Sequence, residues 1–390
     1  MRILYVADGR SPTALNWMRH FVEAGHEVHL ASTFECQPEL EFASRHFVPV
    51  AYSRAARQGS GLGTRMRAIL GTDARTRVRQ WLGPLTVPRA ARRLSQIIAE
   101  VQPDLVHAMR IPYEGMLAAR SNPPMPLLVS VWGNDFTLHA RSSPLMRAAT
   151  RLSMRRADAL HSDTQRDVKL AQQWGFEGQK PNVVLPGNGG IRSDIFYPLP
   201  HATKPDATEA RLGVVNPRGI RSYVRNDVFF KAIPLILRKR PEVRFFCPGM
   251  EGAAEAEGWV EDLSLSGYVS LMPRLRPRAL ADVYHSTQVM VSPSTHDGTP
   301  NTLLEAMACG CFPVLGDIES MHEWIQDGEN GLLVDPTDPD ALAEAVIRAL
   351  KDHELRARAA ERNIQLIKAR AEYGEVMRQA EAFYQDIIAR

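Results

Sequence analysis

Short apolar runs alternate with stretches of helical periodicity along almost the whole chain. Ile3–Val6 is a continuous apolar run that predicts a buried strand. Thr13–Ala24 has helical spacing, and Glu27–Ala31, after Gly25-His26, reads as a second strand. Leu105–His107, Leu127–Val131, Ala159–Ser162 and Val183–Leu185 repeat the strand pattern, with helical segments between them. A second series starts at Leu212–Asn216 and continues through Val243–Cys247, Val269–Met272, Val289–Ser292, Phe312–Leu315 and Gly331–Val334. This alternation predicts parallel sheets covered by helices on both faces, in two consecutive doubly wound α/β domains. Tyr197–Thr208, rich in Pro, His and Lys, reads as a linker. The predicted domains are 1–197 and 208–370. The tail is helical from about Ala341, and 371–390 is expected to pack back on the first domain.

Length and composition narrow the classes. A chain of 390 residues exceeds what one core usually organises, which agrees with two domains. A hydrophobic content of 44%, a charged content of 23% and a formal charge of +3 are those of a soluble globular protein. The six-residue apolar run in the opening MRILYVAD is too short for a signal peptide and fits a strand. No stretch approaches the roughly 20 apolar residues of a membrane span, so a cytoplasmic protein is expected. Cys36, Cys247, Cys309 and Cys311 have neither a disulfide framework nor zinc spacing and are expected as reduced thiols. The first strand ends in Asp8-Gly9-Arg10-Ser11-Pro12, which is neither a dinucleotide fingerprint nor a phosphate loop. The fold therefore implies neither a nicotinamide cofactor nor a triphosphatase, and function must come from other sites.

The most informative segment runs from Val291 to Gly310. A strand ends at Ser292, a turn carries Asp297 and Gly298, and a helix follows, with Thr299 expected as its N-cap and Pro300 as its first residue. The amides of Asn301 and Thr302 would point into the crevice beyond the strand ends, where open α/β sheets bind ligands and helix starts suit phosphate. Glu305 lies in the second turn, and helical side chains lean toward the N-terminus. Its carboxylate can accept hydrogen bonds from a ribose while Asp297 accepts them from a second set of hydroxyls. Two carboxylates bracketing a helix start match a nucleotide with a sugar at each end. The bland alternative for each acid taken singly is a cap or an exposed side chain.

This segment resembles the pattern of glycosyltransferase family 4, which pairs two glutamates with seven residues between them. Asp297 stands at the first position and Glu305 at the second, followed by Ala306-Met307-Ala308-Cys309-Gly310. The resemblance implies a GT-B fold, two Rossmann-like doubly wound domains facing across a cleft, and a retaining enzyme. Its donor would be a nucleoside-diphosphate sugar and its acceptor a hydroxyl on a glycan, glycolipid or lipid-linked saccharide. In the family the first acid holds the donor sugar and the second the nucleotide ribose; Asp for Glu at 297 is one methylene shorter. Donor contacts are implied at Gly298, Asn301, Thr302, Leu303 and Glu305.

An Arg and a Lys in the family grip the diphosphate after the first strand of the second domain, and fixed cations suit such a leaving group. Arg218 matches the first, and Arg225 is the candidate for the second, with a solvated loop arginine as its equal alternative. Pro248-Gly249-Met250-Glu251-Gly252 resembles the family's glycine-rich turn, and Leu271 to Arg274 fall where the family's backbone contacts the base. Asn188-Gly189-Gly190-Ile191 and Phe196-Tyr197-Pro198 resemble the end of its first domain. The resemblance covers most of the chain and is densest over 212–335.

In the first domain the strand-end rule puts Asp8 and Gly9 toward an acceptor, with Asp8 able to orient a hydroxyl. Trp132-Gly133-Asn134-Asp135 follows the strand Leu127–Val131. Many relatives have His where Trp132 stands; Trp cannot accept a proton, which makes Asp135 the candidate to take over. His107 ends a strand and either lines the acceptor side or is packed.

Residues 54–93 hold ten arginines (54, 57, 65, 67, 75, 77, 79, 89, 92, 93), one acid, Asp73, and the interleaved Trp81, Leu82, Leu85 and Val87. Such a stretch fits anionic lipid at the inner face of a membrane, an anionic acceptor or a plain solvated face. No nucleic-acid module accompanies it, so nucleic acid is not an expected partner. Asp338-Pro339-Asp340 mimics a metal-binding Asp-x-Asp but opens a helix, where capping explains it. No metal and no cofactor beyond the donor are expected. Two rivals to the transferase share these features: a sugar-nucleotide epimerase, and a non-catalytic nucleotide-sugar-binding scaffold.

Overall fold

The computed structural model describes residues 1–51, 53, 79–200 and 213–390. The chain divides into two compact units, Met1–Gly189 with Val376–Arg390, and Gly190–Glu375.

The first unit carries β1 (Arg2–Ala7), β2 (Glu27–Ser32), β3 (Ser44–Phe47), β4 (Leu105–Ala108), β5 (Leu127–Val131), β6 (Ala159–Ser162) and β7 (Asn182–Val184). They form a seven-stranded sheet in the order β3-β2-β1-β4-β5-β6-β7, parallel throughout. Its helices are α1 (Pro12–Glu23), α2 (Val87–Val101), α3 (Met116–Ser121), α4 (Pro144–Arg156) and α5 (Gln165–Gln173). Their starts are legible in the sequence. Ser11, Ser143 and Thr164 cap α1, α4 and α5 by accepting from the amides of Ala14, Met146 and Asp167, and Pro12 and Pro144 open α1 and α4. The central strands are buried on both faces because helices cover both, as a parallel sheet requires.

The second unit carries β8 (Gly213–Val215), β9 (Arg244–Pro248), β10 (Val269–Met272), β11 (Val289–Ser292), β12 (Phe312–Gly316) and β13 (Leu332–Val334). Their order is β10-β9-β8-β11-β12-β13, again all parallel. The helices are α6 (Asn226–Lys239), α7 (Ala254–Asp262), α8 (Pro277–Ser286), α9 (Asn301–Ala308), α10 (Pro339–Lys351) and α11 (His353–Arg370); a last helix, α12 (Tyr373–Ala389), starts in this unit and belongs to the first from Val376 on. Asp338 caps α10, its Oδ1 accepting from the amides of Asp340 and Ala341 at 2.9 and 3.1 Å.

Two differences from the sequence reading have physical causes. β3 (Ser-Arg-His-Phe) has no apolar run, because an edge strand is held by its ladder to β2 rather than by burial. The division falls at 189/190 rather than after 197. Ile191 and Phe196 are buried in the second unit's core, and Ile191 exchanges backbone bonds with Ala371 and Tyr373. The tail returns to the first unit from Val376, with Tyr384 fully buried there. The expected linker lies largely in 201–212, outside the described residues, as do Leu212 and most of the Arg-rich stretch. Among the described residues no helix is long and apolar enough to cross a membrane, and none of the four cysteines forms a disulfide.

Candidate active site

In the second sheet the strand order reverses between β8 and β11, so the loops after these two strands border one crevice. Arg218 comes from the loop after β8 and Asp297 from the loop after β11. Their side chains are only 7% and 16% exposed and form an ion pair through Arg218 Nη2. Arg218 Nη1 donates to the Thr302 hydroxyl at 3.2 Å, and the buried Nε has no partner. The guanidinium is aimed by its own loop. The amide of Arg218 donates to Asn216 Oδ1 at 3.2 Å, Asn216 Nδ2 donates to Asn226 Oδ1 at 2.9 Å, and Asn226 Nδ2 donates to the Gly219 carbonyl at 2.9 Å. Both asparagines are buried, so the loop is fastened to the first turn of α6.

Glu305 stands on α9, its carboxyl enclosed although the residue as a whole keeps some exposure. Burial pushes that carboxyl up to about 7, against the opposing pull of the Tyr284 hydroxyl and of Arg218. The Tyr284 hydroxyl lies 3.3 Å from the Thr302 carbonyl and 3.4 Å from Glu305 Oε2. Tyr284 was not singled out in the sequence; an apolar-face tyrosine on a helix (α8) is indistinguishable from core until α8 is seen packed on α9. Helix α9 starts one residue later than expected. Pro300 is the cap residue, and the Thr299 hydroxyl instead accepts from Trp324 Nε1 at 2.9 Å. Ser320 Oγ donates to the Asp297 carbonyl at 2.8 Å and fixes the same turn. Gly298 donates to the Asp297 carboxylate at 3.2 Å, and Leu303 is wholly buried, leaving only its backbone near the helix start.

Gly249 and Gly219, both at positive φ, face each other backbone to backbone: a Cβ on Gly219 would lie 3.5 Å from the Gly249 carbonyl. The amides of Gly249, Met250 and Glu251 converge on the Met272 carbonyl at 2.9–3.1 Å, which sets Leu271 to Arg274 beside the glycine turn. Leu271 is half-buried against the core and Arg274 is exposed. Arg225, in the left-handed region at φ 52°, gives Nε and Nη2 to Asp227 at 2.9 Å each. These bonds hold it to Asp227 rather than in the Arg218 group.

The first unit's corresponding reversal lies between β1 and β4. Asp8 accepts from Arg10 through both oxygens at 3.0 and 2.9 Å, and the Arg10 guanidinium lies 3.7 Å over the Phe34 ring. Gly9 lies tight against its neighbours, since a Cβ there would fall 2.3 Å from Cys36 Sγ and force that side chain to shift. Asp135 is fully buried and accepts from Arg110 Nη2 (2.7 Å) and from the amides of Ile111 (3.0 Å) and Trp132 (3.2 Å). This corrects the expectation of an acid exposed to a reacting centre: Asp135 ties the loops after β4 and β5 together and is a positioning residue. Trp132 is half-buried with Arg110 5.1 Å from its ring, and its indole N–H has no partner.

His107 is a second correction. It is fully buried and does not line a surface. Tyr384 bonds to its Nδ1, and its Nε2 lies 2.7 Å from Ser130 Oγ, which is 2.7 Å from His161 Nδ1; His161 Nε2 donates to the Leu185 carbonyl at 3.0 Å. A carbonyl only accepts, so the proton order along this chain is set from Leu185 backwards. Burial depresses both imidazoles, His161 to about 4 and His107 well below its usual range.

With this geometry in place, comparison with known proteins is informative. Residues 214–366 match the glycosyl transferases group 1 family, and residues 8–188 match the glycosyl transferase 4-like domain. The D-inositol 3-phosphate glycosyltransferase of Corynebacterium urealyticum is 30% identical over 224 residues, 53% of this chain and 51% of that protein. That of Thermomonospora curvata is 26% identical over 220 residues, 51% and 50%. The chain thus spans about half the length of the curated relatives it matches. Among solved structures, the sucrose-phosphate synthase of Thermosynechococcus elongatus is similar at a TM-score of 0.75 and 16% identity, covering 100% of both chains. Anabaena HepE in complex with UDP and glucose is similar at 0.71 and 14%, over 99% of this chain and 100% of that one. The two doubly wound units have the GT-B glycosyltransferase fold. By both family matches, the chain belongs to glycosyltransferase family 4, the group 1 glycosyltransferases.

Proposed function

We propose that this chain transfers a sugar from a nucleoside-diphosphate sugar to a hydroxyl of a glycan, glycolipid or lipid-linked saccharide, with retention at the anomeric carbon. The observation that carries the reading is the convergence of Arg218, Asp297, Thr302 and Glu305 at the β8/β11 reversal. The donor diphosphate takes its place at the start of α9, where helix amides and the partly unused Arg218 guanidinium meet its charge. Glu305, backed by Tyr284, accepts from the ribose. In this structure Asp297 is engaged by Arg218. A diphosphate competing for that guanidinium releases the carboxylate to the sugar hydroxyls. The backbone at Leu271–Arg274, beside Gly249, meets the base. Departure and attack occur on one face of the sugar through an oxocarbenium-like state, with Arg218 stabilising the leaving diphosphate. The loops carrying Asp8 and Trp132 receive the acceptor.

HepE, a fold neighbour, has been solved with UDP and with UDP-glucose, which makes uridine nucleotides the first donors to try. The test is thermal stability with UDP, GDP, ADP and their sugar conjugates, without added metal. A ligand binding only the native state adds about 2.7 kcal/mol at 100 times its dissociation constant. A shift with one nucleotide, absent in Arg218→Ala, supports the site, and NMR of the product's anomeric configuration tests retention. No shift with any nucleotide overturns the donor assignment. Binding without turnover across an acceptor panel, or epimerised donor without acceptor, replaces the transferase by a scaffold or an epimerase.

A further inference from the structure

Residues 79–101 run as one continuous helical segment, a short helix and 3-10 turn leading into α2. Val87, Ala90, Ala91, Leu94, Ile97 and Ile98 bury one side of it in the core. The opposite side is a single exposed stripe at helical spacing: Trp81, Leu82 and Leu85, then Arg89, Arg92 and Arg93. The three apolar members are 55%, 45% and 61% exposed. Only two other large apolar side chains among the described residues are exposed, and one of them, Leu145 at 39%, opens the helix next door. That helix is fastened to the stripe, since Ser143 Oγ donates to the Gln80 carbonyl at 2.8 Å. Four of the five exposed large apolar groups therefore gather at one corner of the first unit. Neither 79–99 nor 140–157 contains an aspartate or glutamate, while both carry exposed arginines.

Scattered exposed apolar residues are ordinary, but a gathered patch marks an interaction surface. We propose that this corner docks the protein on an anionic lipid bilayer, with Trp81, Leu82, Leu85 and Leu145 entering the interface and Arg89, Arg92 and Arg93 meeting lipid phosphates. The pairing of apolar and cationic groups on one stripe decides for a bilayer: a nucleic-acid backbone offers the arginines a partner but the leucines none. Neither the surface nor its test depends on the donor site.

The experiment is flotation with vesicles of phosphatidylcholine alone and of phosphatidylcholine mixed with phosphatidylglycerol. The native protein should float with the mixed vesicles and not with the neutral ones. Trp81→Ser with Leu85→Ser, and separately Arg92→Glu with Arg93→Glu, should each lower the partition coefficient roughly tenfold or more, given the transfer free energy of large apolar groups and the charge reversed. All four positions are exposed, so circular dichroism and the thermal midpoint should be unchanged. Equal flotation with both vesicle types, flotation indifferent to both double variants, or no flotation but RNA binding lost in the Arg pair would each overturn the proposal.

Discussion

At the β8/β11 reversal Arg218 has a buried Nε without a partner, and Glu305 has a carboxyl that burial lifts to about 7. At the β1/β4 reversal of the first unit, Asp8 accepts from Arg10 through both oxygens, and Asp135, on the next loop, accepts three hydrogen bonds while itself wholly buried. The two units share a sheet plan and a rule for where the crevice lies, yet one leaves charged capacity open at Arg218, while the other engages the Asp8 and Asp135 carboxylates internally and leaves the neutral Trp132 indole N–H unpaired. A strand-end crevice is thus a place, and whether it can grip an anion depends on which hydrogen-bonding groups the fold leaves unused.

Asp135→Ala tests the closed side with the largest effect. It strips Arg110 and two buried amides of their acceptor, so unfolding free energy should fall by about 3–5 kcal/mol, measured by urea denaturation. The nucleotide-induced shift per unit of stability should persist; its loss would break the division of labour between the units. Arg218→Ala tests the open side. Turnover should fall roughly 10²–10³-fold in kcat/KM, as when a charge-stabilising group is removed, while hydrogen exchange in the first unit stays as before.

The units should also answer pH oppositely. In the first, burial depresses His107, His139 and His161, the last two to about 4, and raises Glu114 to about 7 and Asp167 to about 6. A depressed imidazole contributes stability present above its unfolded value near 6.5 and lost as pH falls toward 4; a raised carboxyl acts in the reverse sense. With His46 depressed by burial as well, the lowered histidines outnumber the two raised acids, so acidification below about pH 6.5 should on balance destabilise the first unit. In the second unit the raised Glu305 contributes stability present below about 4.5 and lost as pH rises through about 7. Hydrogen exchange resolved by unit across pH 4 to 8 would check this, and parallel changes in both units would contradict it. Tyr384→Phe is the smallest effect: it leaves the indole of Trp17 and His107 Nδ1 without their shared hydroxyl, so about 1–3 kcal/mol of stability should be lost with nucleotide binding intact.

Much of the second unit's site was legible, because Asp297, the turn and Glu305 are neighbours along the chain and a strand followed by a helix places them together. Arg218 was singled out by its match to the family's arginine at the strand exit, and the fold brings it onto Asp297 and Thr302. Arg225 was not: its bond to Asp227, two residues on, competes with any more distant role, and its sequence position is the same in either case. Tyr284 and the Trp324–Thr299 bond were hidden because each depends on a helix or turn packing from elsewhere in the chain. In the first unit Asp135 and His107 had the residue type of a site and the surroundings of a core.

The sequence by itself determined the order of strands and helices, since apolar periodicity and capping residues act within a few positions. It also determined which loops border the crevices, because a parallel sheet with short connections has few alternatives. Only the tertiary structure decided which polar groups stay available. The partners that occupy them arrive from far along the chain: Tyr384 reaches His107 across 277 positions, and Thr302 reaches Arg218 across 84. Hydrogen bonds saturate one donor and one acceptor at a time, so a side chain's chemistry in the fold is settled by what else has been brought within 3 Å of it.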